Sequence, residues 1–299
     1  YSACFIPIML VSSPPFPCKL SDGRNEQGPR LRYFLDTDNI IEHSDRILAL
    51  KDQEDTKYHY EIYVRGFKSH WKGTNELPLV DPQLRGRICA WNFRVVDHCS
   101  FPRELAERSL SFFDRCMVSC GTRCLTEEMA WLTGMAALHL AIKIHHTAPI
   151  GVDFLAALSR NQFTVQQILA MENLMMRSLL WYLHSPTATE FAYSFVSLLP
   201  SNMASSPIKE EIFERSKIIL QSSICEAFFV PFRTSSTAFA AVINVMEDMT
   251  LLQEGNNLTY FFEEQIGCQL LHLVNGCEEY NNVKLLREKL RELAWVASE

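Results

Sequence analysis

LRGRICAWNFRVVDHCSFPRELAERSLSFFDR, residues 84–115, reads as two amphipathic helices joined by a turn. Leu84, Ile88, Trp91 and Val95 recur at i, i+4, i+7 and i+11, which is one face of a helix. Ser100-Phe101-Pro102 breaks that periodicity. Ser100 is a candidate N-cap, and Pro102 suits a first helical turn, where a missing N–H has no partner to lose. Leu105, Leu110, Phe112, Phe113 and Met117 carry the second helix. Arg85 and Asp114 lie among these apolar positions. Opposite charges on neighbouring buried faces are costly unless they pair.

Working outward, the same helical patterning continues to the C-terminal end. Alternating strand patterns are nearly absent and glycine is scarce, 11 in 299 residues, so the expected class is all-α. The length exceeds one small core and fits two domains. A net charge of −7 argues against nucleic acid as the main partner, because that binding rests on neutralising phosphates. No apolar run approaches the ~20 residues that a membrane-spanning helix needs. The 10 cysteines fall mostly inside expected helices and lack the close pairing of a small disulfide-stapled domain, so they read as reduced, buried and intracellular. Cys116, Cys120 and Cys124 step by four residues. That set crosses Gly121, has no fourth ligand nearby and lacks paired-knuckle spacing, so no metal or other cofactor is expected.

Residues 1–37 are rich in Ser, Pro and Gly and read as a disordered tail. Their apolar run, Phe5 to Val11, lacks the basic flank of a signal peptide. Ser13-Pro14 is a minimal site for a proline-directed kinase, and Arg32 to Leu35 fits an R-x-x-L pattern; both motifs are short and common. Residues 38–80 read as a helical extension, carrying Ile40, Ile41, Ile47, Leu48 and Leu50, followed by a linker from 67. Thr126, followed by Glu127 and Glu128, opens a third helix that reaches about His145. Leu132, Ala136, Leu140 and Lys143 share a stripe of it, and Ile144-His145-His146 reads as a solvated end. A short helix follows at Val152-Asp153-Phe154. A fifth runs from Val165 to Leu183, with Glu172 inside its apolar stripe. A carboxylate so placed either pairs or marks an edge that meets a partner. Beyond Ser185-Pro186-Thr187, helical periodicity returns at Phe191–Leu199, Ile208–Phe228, Ser235–Met249, Leu258–Leu273 and Asn282–Val296.

The opening stretch resembles the start of the cyclin box. Leu84-Arg85 stands where the family has Met-Arg, Trp91 at the motif Trp, Glu104 at the Glu, and Asp114-Arg115 at the Asp-Arg pair. The separations, 13 residues from Trp91 to Glu104 and 10 from Glu104 to Asp114, are those of the family. The register continues through Leu132, Gly134, Met135, Ala136, Ala141 and Lys143, then Ala148-Pro149, the turn Asn161-Gln162-Phe163-Thr164, and Met171-Glu172. The resemblance implies tandem five-helix cyclin folds, a box at 81–186 and a C-terminal fold at 187–299. It implies a non-enzymatic regulatory subunit that binds and activates a cyclin-dependent protein kinase as a heterodimer, in nucleus and cytoplasm. Nucleic acid, membrane and small-molecule substrates are not expected partners.

By the same resemblance, Arg85 and Asp114 form a structural ion pair, and Lys143 and Glu172, with Leu132, meet the kinase. Leu84, Ile88 and Trp91 would belong to a groove for R-x-L docking motifs. Arg94 stands where the family's arginine-receiving Glu would be, and Arg87 replaces an apolar groove residue, so such docking is expected to be weak or absent. The alternative reading is a cyclin-fold interaction scaffold without kinase activation. Asp97-His98-Cys99 makes no enzyme, since consecutive helical side chains point in different directions.

Overall fold

The structure, a computed structural model, describes residues 40–58, 80–120, 126–250, 257–272 and 278–296. Among these residues there are eleven α-helices and no strand. They are α1 (Ile40–Thr56), α2 (Pro82–His98), α3 (Glu104–Cys120), α4 (Glu127–His145), α5 (Val152–Leu158), α6 (Val165–Ser178), α7 (Ala188–Ser197), α8 (Ser206–Ile224), α9 (Thr234–Thr250), α10 (Asn257–Phe262) and α11 (Glu278–Val296). α10 runs on as a π-wound segment, Glu263–Leu270. The expectations for the tail, the linker at 67–79, and Cys124 lie outside the described residues.

Side chains of the N-cap residues set three helix starts among the described residues. Thr126 caps α4 by accepting from Met129 N at 3.2 Å. Thr164 and Thr187 each open a helix with a reciprocal capping box, with Gln167 for α6 and Glu190 for α7. Pro82 sits in the first turn of α2, where it costs no hydrogen bond.

Ser100 does not cap α3, which begins at Glu104. It closes α2 instead. With φ 55°, Ser100 is in the left-handed region, its N–H reaches Asp97 O at 3.1 Å, and Phe101 N–H reaches Val96 O at 2.8 Å. These are the two bonds of a Schellman motif, and Val96 and Phe101 pack in one apolar cluster, as that motif favours. The fifth expected helix also stops early, at Ser178. Leu180 (φ 51°) and Trp181 (φ 62°) form the same motif at its end, with Leu180 N to Arg177 O and Trp181 N to Met176 O both 3.1 Å. No glycine announces either turn. Of the expected extension, the described part is one helix, α1, from Ile40 to Thr56.

Two hydrophobic cores follow from two helices buried all round. Every residue of α4 from Leu132 to Ile142 is buried, and α2, α3, α5 and α6 pack around it. Gly134 permits the closest approach there: a Cβ at that position would lie 2.5 Å from Ile88 Cγ2. In α9 every residue from Ser235 to Met246 is buried, surrounded by α7, α8, α10 and α11. α1 belongs with this second core. Its Ile47 is fully buried there and the helix packs on α7.

Three buried ionisable side chains each meet the helix end that suits them, and two of them, Glu107 and Arg85, join the two bundles. Glu54 of α1 accepts from Ser235 N (2.9 Å) and Ser235 Oγ (2.6 Å) at the start of α9. Glu107 of α3 accepts from Ala188 N (2.7 Å) and Thr189 N (3.3 Å) at the start of α7. Arg85 of α2 donates Nη1–H to Ile224 O (2.7 Å) at the end of α8.

Burial pushes the Glu107 carboxyl up to about 7, against the N–H bonds from Thr189 and Ala188 that favour its charged form. Between pH 4.5 and about 7 the folded chain keeps this proton and the unfolded chain does not, so stability falls as pH rises across that window. The slope can reach about 1.4 kcal/mol per pH unit. His145 opposes it. Burial, with Arg108 nearby, lowers its imidazole to about 4, so below 6.5 acid favours the unfolded chain. Far from a solvated end, His145 faces Leu183 O at 3.0 Å through Nε2. Glu107→Gln isolates the first effect: urea unfolding at pH 5 and pH 7.5 should show the wild type losing stability relative to the variant. Parallel pH curves would refute it.

Candidate functional site

Arg85 and Asp114 face each other across α2 and α3. Arg85 Nε donates to Oδ1 at 3.0 Å and Nη2 to Oδ2 at 2.9 Å, a two-pronged pair with both residues 3 % exposed. The third guanidinium nitrogen holds Ile224 O, so one buried arginine joins two helices of the first bundle to the end of α8.

A second charged cluster lies between α4 and α6. The Thr164 capping box fixes where α6 begins, and two turns later its buried face presents Glu172 to α4. Lys143 Nζ donates to Glu172 Oε2 at 3.0 Å, and His139 Nδ1 pairs with Oε1. His139 Nε2 faces Ile150 O at 3.2 Å. Both ring nitrogens therefore lie within hydrogen-bond reach of an oxygen. Burial tends to raise the Glu172 carboxyl, but the His139 and Lys143 hydrogen bonds prevail and hold it below its ordinary value. Glu172 is only 2 % exposed, whereas the Lys143 side chain is 41 % exposed. The carboxylate is thus an internal anchor, and the ammonium is the part that solvent or a partner can reach.

The same edge carries large apolar side chains in the open. Leu180 is 71 % and Trp181 66 % exposed, both on left-handed backbone. His145, two residues past Lys143, bonds the carbonyl of Leu183, two residues past Trp181, which brings the ends of α4 and α6 together. Tyr182 closes the group. Its carbonyl accepts from Arg115 Nη1 at 2.8 Å, and its ring meets that of Tyr58, just beyond α1, edge-on at 6.3 Å.

Leu132 lies in the first core, 7 % exposed. Leu84 and Ile88 are also inside it, 7 % and 0 % exposed, because the face they share with Val95 is the one that packs on α3 and α4. Of the three groove candidates only Trp91 reaches the surface, where it packs edge-on against Trp131 at 6.5 Å. Arg87 is paired with Glu127 at 2.7 Å, so its charge is largely offset. Arg94 Nε donates to Ala90 O within α2. The sequence reading passed over His139, although it stands four residues before Lys143 and so shares its face. It also left Trp181 inside a helix.

The family model described as cyclin, N-terminal domain matches residues 61–184. Cyclin-D3-3 of Arabidopsis thaliana is 28 % identical over 171 residues, 57 % of this chain and 46 % of that protein. Cyclin-G1 of Bos taurus is 25 % identical over 183 residues, 55 % of this chain and 59 % of that one. The chain thus spans about half the length of these relatives. G1/S-specific cyclin-D1 of Mus musculus is 22 % identical over 216 residues, 71 % of this chain and 70 % of that protein. Among solved structures, a viral cyclin from herpesvirus saimiri superposes with a TM-score of 0.60 at 16 % identity, covering 83 % of this chain and 97 % of that one. A chain of the CAK complex of Chaetomium thermophilum bound to ATP-γ-S gives 0.51 at 14 % identity, over 85 % of this chain and 74 % of that one. The N-terminal cyclin domain is thus matched in sequence over residues 61–184, and both bundles are similar in fold to a viral cyclin.

Proposed function

We propose that this chain is a regulatory subunit that binds and activates a cyclin-dependent protein kinase in cell-cycle control. The observation that carries the reading is the edge formed by α4 and α6. There a half-exposed Lys143 ammonium is held by a buried Glu172, beside an exposed Leu180-Trp181 pair. A reachable cationic donor near the end of α4 and a solvent-facing tryptophan just past α6, helices whose ends His145 and Leu183 join, have the composition of an interface hot spot. The cyclin supplies binding energy and no catalytic group. It stabilises the kinase conformation in which the lysine–glutamate pair and activation loop are in place. The names of the relatives, a G1/S-specific cyclin among them, support the cell-cycle setting, and nucleus and cytoplasm are the compartments this implies. The bundles around α4 and α9 are read as the box, 81–186, and the second fold, 187–299.

A second reading rests on Glu172, whose two oxygens are already bonded to His139 and Lys143. A carboxylate satisfied inside the chain suits a scaffold that binds without activating. Titration against purified cyclin-dependent kinases, followed by a phosphorylation assay, separates the two. Lys143→Ala and Trp181→Ala should each weaken binding roughly tenfold, about 1.4 kcal/mol, and lower kinase activity in step, with melting temperature shifted by no more than about a few degrees. Binding without stimulation selects the scaffold. Kinase binding that both variants retain places the interface elsewhere.

A further inference from the structure

Cys89 and Cys225 are 136 residues apart in sequence, but their sulfurs lie 2.8 Å apart as free thiols. Cys89 is on the buried face of α2, and Cys225 ends α8. The approach is built in by its surroundings. Gly86, one turn before Cys89, leaves its would-be Cβ only 3.4 Å from Cys225 O, and Arg85 holds the adjacent Ile224 carbonyl at 2.7 Å. A disulfide needs them about 2.05 Å apart, so closure asks for a shift of under about 1 Å.

We propose that Cys89 and Cys225 are an oxidisable thiol pair, which a peroxide closes into a disulfide joining α2 to the end of α8. Cys225 is half-buried and Cys89 fully buried, so Cys225 meets the oxidant first. Its thiol is held below the ordinary value by the hydrogen bond it shares with Cys89, with Arg85 and Arg103 adding to the effect against burial, while burial pushes Cys89 up. The more acidic thiol is thus the accessible one, and its thiolate is the nucleophile. It attacks one oxygen of hydrogen peroxide: an S–O bond forms, the O–O bond breaks, and hydroxide leaves. Cys89 sulfur then attacks the Cys225 sulfenic acid. The S–S bond forms, the S–O bond breaks, and the departing hydroxide takes the Cys89 proton as water. Two thiols lose two electrons and the peroxide is reduced to water.

The test uses the whole chain, reduced and freed of reductant, treated with graded hydrogen peroxide, alkylated and digested without reduction. Mass spectrometry should recover the peptides of Cys89 and Cys225 as one linked species. Dithiothreitol should release them, and in Cys225→Ser the Cys89 thiol should remain alkylable. The exposed Cys268 serves as the dose marker. If Cys268 is oxidised while Cys89 stays free, or if Cys225 ends as a sulfinic acid or linked to another cysteine, the proposal fails. Should Cys225→Ser not fold, the wild-type peptide map decides alone.

Discussion

Asp114→Ala should lower the free energy of unfolding by about 3–5 kcal/mol, the cost of leaving a buried guanidinium without its carboxylate. Asp114 takes two parallel N–H bonds from Arg85 in a site where both residues are 3 % exposed. Water cannot replace it without opening the interface between α2 and α3. The damage should spread beyond the first bundle, because the same guanidinium holds Ile224 O at the end of α8. Asp114→Asn keeps one acceptor and loses the charge, and should fall between alanine and wild type. The double variant Arg85→Met/Asp114→Leu removes both charges and should recover more than half of the loss, since matched apolar groups avoid the desolvation penalty. It will not recover all of it, because Ile224 O loses its donor. Urea titrations at one pH measure all four chains. An Asp114→Ala loss below about 1 kcal/mol would mean that the pair is solvated in solution.

How much of this was legible in the sequence depends on the range of the interaction. Local signals read well. Thr126 is legible as a cap because its hydroxyl reaches an N–H three residues on, and the stripe from Leu132 to Leu140 marks a helix buried in the first bundle; Thr164 and Thr187 cap in the same way but read only as a turn and a break. The helix ends at Ser100 and at Leu180-Trp181 were missed, because left-handed turns usually announce themselves by glycine and none stands there. The contacts between the bundles were beyond reach altogether. Glu107 capping α7 and Cys89 meeting Cys225 span 81 and 136 residues, and no periodicity carries information over that distance. The site was half visible. Spacing put Lys143 and Glu172 in family register, but not which of them faces outward.

That last point fixes the other large effect. Glu172→Ala should cost about 3 kcal/mol of stability, whereas Lys143→Met should cost about 1 kcal/mol or less, although the two residues form one ion pair. Glu172 is 2 % exposed and answers two donors, one of them the buried His139. Without the carboxylate, the buried Nδ1 of His139 loses its hydrogen-bond partner. Lys143, already 41 % exposed, simply turns to water. The low pKa of Glu172 gives the same asymmetry a pH signature. Its stabilising effect is present above 4.5, the value in the unfolded chain, and is lost as pH falls from there through the lowered folded value. Glu172→Gln should therefore flatten the acid limb of the stability curve, measured by chemical unfolding from pH 6 to pH 3, and Lys143→Met should flatten it less. Equal losses from both variants would show that the ammonium is as deeply committed as the carboxylate. The unequal result makes Lys143 the residue at which binding can be tested without disturbing the fold. Reduced kinase binding by Glu172→Ala would then be read only beside its melting curve, because that variant loosens the contact between α4 and α6 that orients Lys143.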